Sequence, residues 1–111
     1  MDLLNTLEEK IEYLEKNIKT LRKTGEEYAK AYTDYRIALA EELLKLKNEG
    51  MAVTIAYDIA RGKKDIAKLK YDEICKEAIY KANQEAINSI KLQLRIIENQ
   101  IGREYNQKDI L

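Results

Sequence analysis

Apolar residues recur in alternating steps of three and four from Leu4: Leu7, Ile11, Leu14, Ile18, Leu21, Gly25, Tyr28, Tyr32, Tyr35, Leu39, Glu42 and Leu46. Only Gly25 and Glu42 interrupt the line, and Leu43 stands beside Glu42. A repeat of 3.5 residues held over about six heptads predicts a long helix whose seam is covered by another helix. A straight helix without a partner would rotate such a stripe out of contact. The first helix is therefore expected over about residues 2–48. Thr24 with Glu27 fits a capping box that would start a new helix, and Gly25 is a poor interior residue. The heptad phase nevertheless passes from Leu21 to Tyr28 unshifted, which predicts one helix with a weak point.

The helix should stop at Asn48-Glu49-Gly50, with Gly50 in the left-handed position after its last turn. A connector and short cap helix are expected over about 51–62, with Thr54 as N-cap and Gly62 as the closing residue. A second long helix is expected over about 64–105, with Asp65 complementing the dipole of its first turn. Its buried side is read as Ile66, Leu69, Ile74, Ala78, Ala82, Ala86, Ile90, Leu94, Ile97 and Ile101. The small middle of that line should lie opposite the bulky tyrosines of the first helix, with Ala78 and Ala82 near Tyr32 and Tyr35. Gly102 and the polar Asn106-Gln107-Lys108-Asp109 predict a frayed end.

The fold class that follows is all-α, as one domain over residues 1–111: a long, coiled-coil-like antiparallel helical hairpin with a short cap helix. Two amphipathic helices packed only on each other leave their flanks wet. Self-association into a bundle is therefore expected, with a dimer favoured. The oligomerisation seam is predicted to comprise Leu4, Leu7, Ile11, Leu14, Ile18, Leu21, Tyr28, Tyr32, Tyr35, Leu39, Ile90, Leu94, Ile97 and Ile101.

Composition narrows the chemistry. The chain has 20 basic and 20 acidic residues, so no global field recruits nucleic acid or an anionic membrane. Charged residues make up 36% of its 111 positions and proline is absent, the balance of long solvated helices. One cysteine allows no internal disulfide, no apolar run approaches a membrane span, and the N-terminus has no basic leader. These features predict a soluble protein of the cytoplasm. No histidine is present, which removes the commonest general base and metal ligand together.

Individual candidates are weak. Tyr28, Tyr32 and Tyr35 beside Arg36 could stack bases, but seam tyrosines more naturally pack. Arg61, Lys63, Lys64, Lys68 and Lys70 give residues 51–70 a net charge of +3 and are the candidate nucleic-acid contact. No aromatic or base-reading group accompanies those lysines, so that partner is not favoured. Glu73 with Glu77, and Glu8 with Glu12, are carboxylates one turn apart, yet di-metal bundles also need Glu-x-x-His. Cys75 lacks a histidine to activate it. Catalytic, metal and cofactor residues are all expected to be absent.

One resemblance bears on origin. It is carried by Asn48-Glu49-Gly50-Met51-Ala52-Val53-Thr54-Ile55, Asp58-Ile59-Ala60-Arg61-Gly62, Tyr80, Glu85-Ala86-Ile87, Lys91-Leu92 and Arg103-Glu104-Tyr105. Over about residues 28–105 the chain resembles small helical proteins encoded by phages and prophages of Gram-positive bacteria. Ala52-Val53 stands where their turn has Pro-Ala. The family has no assigned activity, so the resemblance implies a phage origin and a helical fold and supplies no site residues. Together these readings predict a non-enzymatic scaffold or adaptor in the host cell that binds copies of itself, or a phage or host protein. The alternative is an accessory nucleic-acid binder.

Overall fold

Every regular element among the described residues is helical. The computed structural model describes residues 2–110, leaving aside the side chains of 108–110. The helices are α1 (Leu3–Asn48), α2 (Val53–Gly62) and α3 (Lys64–Ile110), which make the expected all-α antiparallel hairpin with a short cap helix. The chain divides into two compact units: a cap unit, Thr24–Tyr80, and a terminal unit, Met1–Lys23 with Lys81–Leu111.

Local chemistry sets most of the helix ends. Asp2 caps α1, its carboxylate accepting the Leu4 N–H at 3.0 Å. At the other end Gly50 has φ 89°, its N–H donates to the Lys47 carbonyl at 3.0 Å, and the Met51 N–H donates to the Leu46 carbonyl at 3.2 Å. That pair of bonds is a Schellman stop, and Lys45 and Lys47 complement the dipole of the last turn.

The other boundaries differ from expectation. Thr54 lies inside α2; the N-cap is Ala52, which makes no side-chain bond. Gly62 is the last residue of α2 and does not have positive φ. The chain turns instead at Lys63, which is extended at φ −67° and ψ 134°, and any residue tolerates that conformation. α3 runs to Ile110 rather than to Tyr105, since Asn106 and Gln107 offer no break. The side chains of Lys108 and Asp109, where fraying was expected, lie outside the described residues.

α1 passes unbroken through Gly25, and the packing explains the glycine. A Cβ there would sit 3.2 Å from Tyr80 Cε1, so its absence admits the Tyr80 ring, which tilts against Tyr28 at a centroid distance of 6.0 Å. An alanine in an open helix interior gains about 1 kcal/mol over glycine. Gly25→Ala should show less than this, and the missing part should reappear when Tyr80 is also replaced by Leu. Urea melts of the four variants measure that coupling; a full gain in Gly25→Ala alone would show that the ring does not crowd this position.

The buried seams keep a heptad phase, which on α1 as far as Tyr32 and on α3 before Ile87 is not the phase that apolarity indicates. On α1 the partly or fully buried line is Leu7, Lys10, Leu14, Asn17, Leu21, Thr24, Tyr28, Ala31, Tyr35, Ala38 and Glu42. Half of it was expected. The companion residues stand three positions after Leu7, Leu14, Leu21 and Tyr28 rather than four, which leaves Leu4, Ile11, Ile18 and Tyr32 exposed, whereas beyond Tyr35 the expected Leu39 and Leu46 are buried. On α3 the line is Ile66, Leu69, Glu73, Lys76, Tyr80, Asn83, Ile87, Ile90, Leu94, Ile97 and Ile101. Ile74, Ala78 and Ala82, expected to be buried, face outward because constant phase carries the seam through polar residues instead.

In the cap unit, contacts fall in steps of seven. Lys63 Nζ meets Glu42 at 3.1 Å, Lys70 Nζ lies 4.9 Å from the centre of the Tyr35 ring, and the Tyr28 hydroxyl donates to Glu77 at 3.3 Å. Tyr35 is therefore level with Lys70, not with Ala82, and α1 extends past the start of α3. The reason is α2, which packs against the last turns of α1. Its Ala56 and Ala60 are fully buried with Tyr35, Leu39, Leu46 and Ile66. Alanine there lets three backbones approach.

Candidate interaction surface

In the terminal unit, Asn17 and the buried Asn83 set the pairing of α1 with α3. Asn83 Nδ2 donates to the Asn17 carbonyl at 3.0 Å and to Asn17 Oδ1 at 3.3 Å, while Asn17 Nδ2 donates to the Tyr13 carbonyl at 2.9 Å. An amide pair, buried at Asn83 and half-buried at Asn17, on seams that carry Leu14, Leu21, Ile87 and Ile90 fixes register, because any slip leaves an amide without this partner. Apolar patterning does not reveal this pair. The detectable signal is that Asn17 and Asn83 occupy seam positions once the phase is counted from Leu7 and Ile66.

Turning Asn17 inward rotates Leu4, Ile11 and Ile18 outward, at 60, 39 and 49% exposure. They are seven residues apart and form a second apolar line beside the packed one. Leu7, Leu14 and Leu21 are half-buried, as are Leu94, Ile97 and Ile101, whereas Ile90 is buried. In the cap unit Tyr35 and Leu39 are buried, Tyr28 is half-buried and Tyr32 is exposed. α2 leaves Val53, Ile55 and Ile59 on the surface.

No family model, curated protein or solved structure matches the chain.

Three of the five basic residues of the predicted nucleic-acid contact are drawn to different partners. Lys63 pairs with Glu42, whose hydrogen bond holds the ammonium above the usual lysine range. Lys70 pairs with the buried Glu73 at 2.8 Å, with the same consequence for its pKa, and also lies over Tyr35. Arg61 stacks on Tyr57 at 5.0 Å. Lys64 and Lys68 are exposed and lie on α3 away from its seam. A phosphate reaching all five would have to displace two carboxylates.

Arg36, Thr54, Tyr57, Asp58 and Arg61 line a groove of about 570 Å³ between α1 and α2, with Leu39 in its wall. Glu77 accepts from Tyr28, Glu73 is held by Lys70, and no group of three metal-binding side chains occurs among the described residues. Cys75 is half-buried on α3. No helix of the described residues is long and apolar enough to cross a membrane.

Proposed function

We propose that this chain is a non-enzymatic helical interaction protein, a scaffold or adaptor of phage type that acts in the host cytoplasm and binds first of all to itself, as a dimer. The observation that supports this is the balance of apolar surface. Among the described residues eight hydrophobic side chains are buried, two of them alanines, whereas seventeen large ones are exposed. Scattered exposed leucines are normal, but heptad-spaced lines of them on a helix are what a partner helix covers. The phage origin is supported by the turn around Gly50 and the Ala60-Arg61-Gly62 step, where this chain resembles phage-encoded proteins.

Light scattering coupled to size exclusion tests the reading. The expected mass at micromolar concentration is twice the 13.0 kDa of the chain. A mass of one chain at every concentration up to about 100 µM would overturn it, since interfaces of ordinary quality are occupied well below that level.

A further inference from the structure

We propose that a second copy of this chain covers the Leu4, Ile11 and Ile18 line of the terminal unit, lying antiparallel to it about a two-fold axis. The inference rests on self-association and adds which surface is used and which way the copies run. The three side chains span about 21 Å of helix at 1.5 Å per residue. Each terminal unit supplies an α1 and an α3 segment, so two copies joined along this line make a four-helix arrangement.

Charge selects the orientation. Along the same stretch the exposed charges are Glu8, Glu9, Glu12 and Glu15 first, then Lys16, Lys19, Arg22 and Lys23, with Lys10 turned into the packed seam. One turn beyond each apolar residue stand Glu8, Glu15 and Arg22, so these charges border the line directly. A parallel copy sets acid against acid and base against base. An antiparallel copy with Ile11 against the partner's Ile18 sets Glu8 near Arg22 and Glu12 near Lys19, twice over by symmetry, against a single like-charge meeting of Glu15 with its own copy on the axis.

Six of these charges, Arg22 and Lys23 not among them, are also available. Glu12 and Lys16, and Glu15 and Lys19, have the spacing for pairing along α1. Yet Glu8, Glu9, Glu12, Glu15, Lys16 and Lys19 make no ion pair among the described residues. A border that runs from acidic to basic along an exposed heptad line complements a copy of itself better head to tail than in parallel.

The full chain carrying Ile11→Glu and Ile18→Glu tests the surface. Both positions are exposed, so far-UV circular dichroism should stay unchanged while dimer dissociation rises on the order of 100-fold. Orientation is read in a Cys75→Ser background by mixing full chains carrying Glu12→Cys or Lys19→Cys and oxidising them. Disulfides between the two variants should exceed those within either one on the order of ten-fold. A dimer indifferent to Ile11→Glu/Ile18→Glu would overturn this surface and leave self-association standing. A wild-type monomer would overturn both. Dominant Glu12→Cys self-links would overturn the antiparallel arrangement, and the disulfide pattern still decides the matter should the glutamate variant fail to fold.

Discussion

Replacing Ile66 by alanine should lower stability by about 2–5 kcal/mol, the largest loss expected from any single truncation in this chain. Ile66 opens the buried line of α3, is 2% exposed, and is the bulkiest fully buried side chain. It packs where all three helices meet, with Tyr35, Leu39, Leu46 and the fully buried Ala56 and Ala60 of α2. Those alanines cannot extend into the space that the lost methyl groups would leave, so little of the cavity can close. With roughly 4–8 °C per kcal/mol for a small domain, the melting transition should fall by at least about 8 °C. Urea titration followed by far-UV circular dichroism measures it. A loss under about 1 kcal/mol would mean that α2 is not packed over this residue.

The second large effect concerns Asn17 and Asn83, and it separates stability from uniqueness. Asn83→Ala removes the donor to Asn17 and leaves a half-buried amide oxygen without that bond, a cost of about 1–3 kcal/mol. Replacing both residues by leucine removes the polar pair altogether and should be neutral or stabilising. The expected cost of the double replacement is order: α1 and α3 can then pair in more than one register, because a leucine seam accepts slips that an amide pair rejects. Amide NMR spectra should show broadened or doubled resonances from residues 3–23 and 81–107 in the double variant and one sharp set in the wild type. A single sharp set with unchanged shifts in Asn17→Leu/Asn83→Leu would show that the aliphatic contacts alone define the pairing.

The same two residues explain how far the sequence could be read. The run of Leu7, Leu14, Leu21, Tyr28 and Tyr35 was legible because a heptad of large side chains has no other physical use on so long a helix. Its companion line was legible only towards the end of α1, at Leu39 and Leu46. Ile11 and Ile18 outrank Lys10 and Asn17 by hydrophobicity, yet the helix turns the latter inward, where the Asn17–Asn83 bond offsets the cost of burying amides. Lys10 can follow with its aliphatic stem buried and its ammonium wet. On α3, Glu73 lies inside the seam because Lys70 reaches it, and hydrophobic patterning counts such a carboxylate as surface. The cap helix was legible from Gly50, whose left-handed conformation ends α1. The position of α2 was not, because that depends on Ala56 and Ala60 fitting a space the other helices create. The exposed line of Leu4, Ile11 and Ile18 was visible as apolar spacing, but its separation from the packed face required the three-dimensional phase.

Tyrosine is the only aromatic residue in this chain, and its placement makes the protein its own optical probe. Six of the eight tyrosines fall within Thr24–Tyr80, among them the buried Tyr35 and the facing Tyr28 and Tyr80, whereas Tyr13 and Tyr105 of the other unit are exposed. Near-ultraviolet dichroism therefore follows the loss of tight packing in residues 24–80, while the peptide signal follows helix everywhere. Any gap between the two traces on heating would give the order in which the two units come apart, without a label.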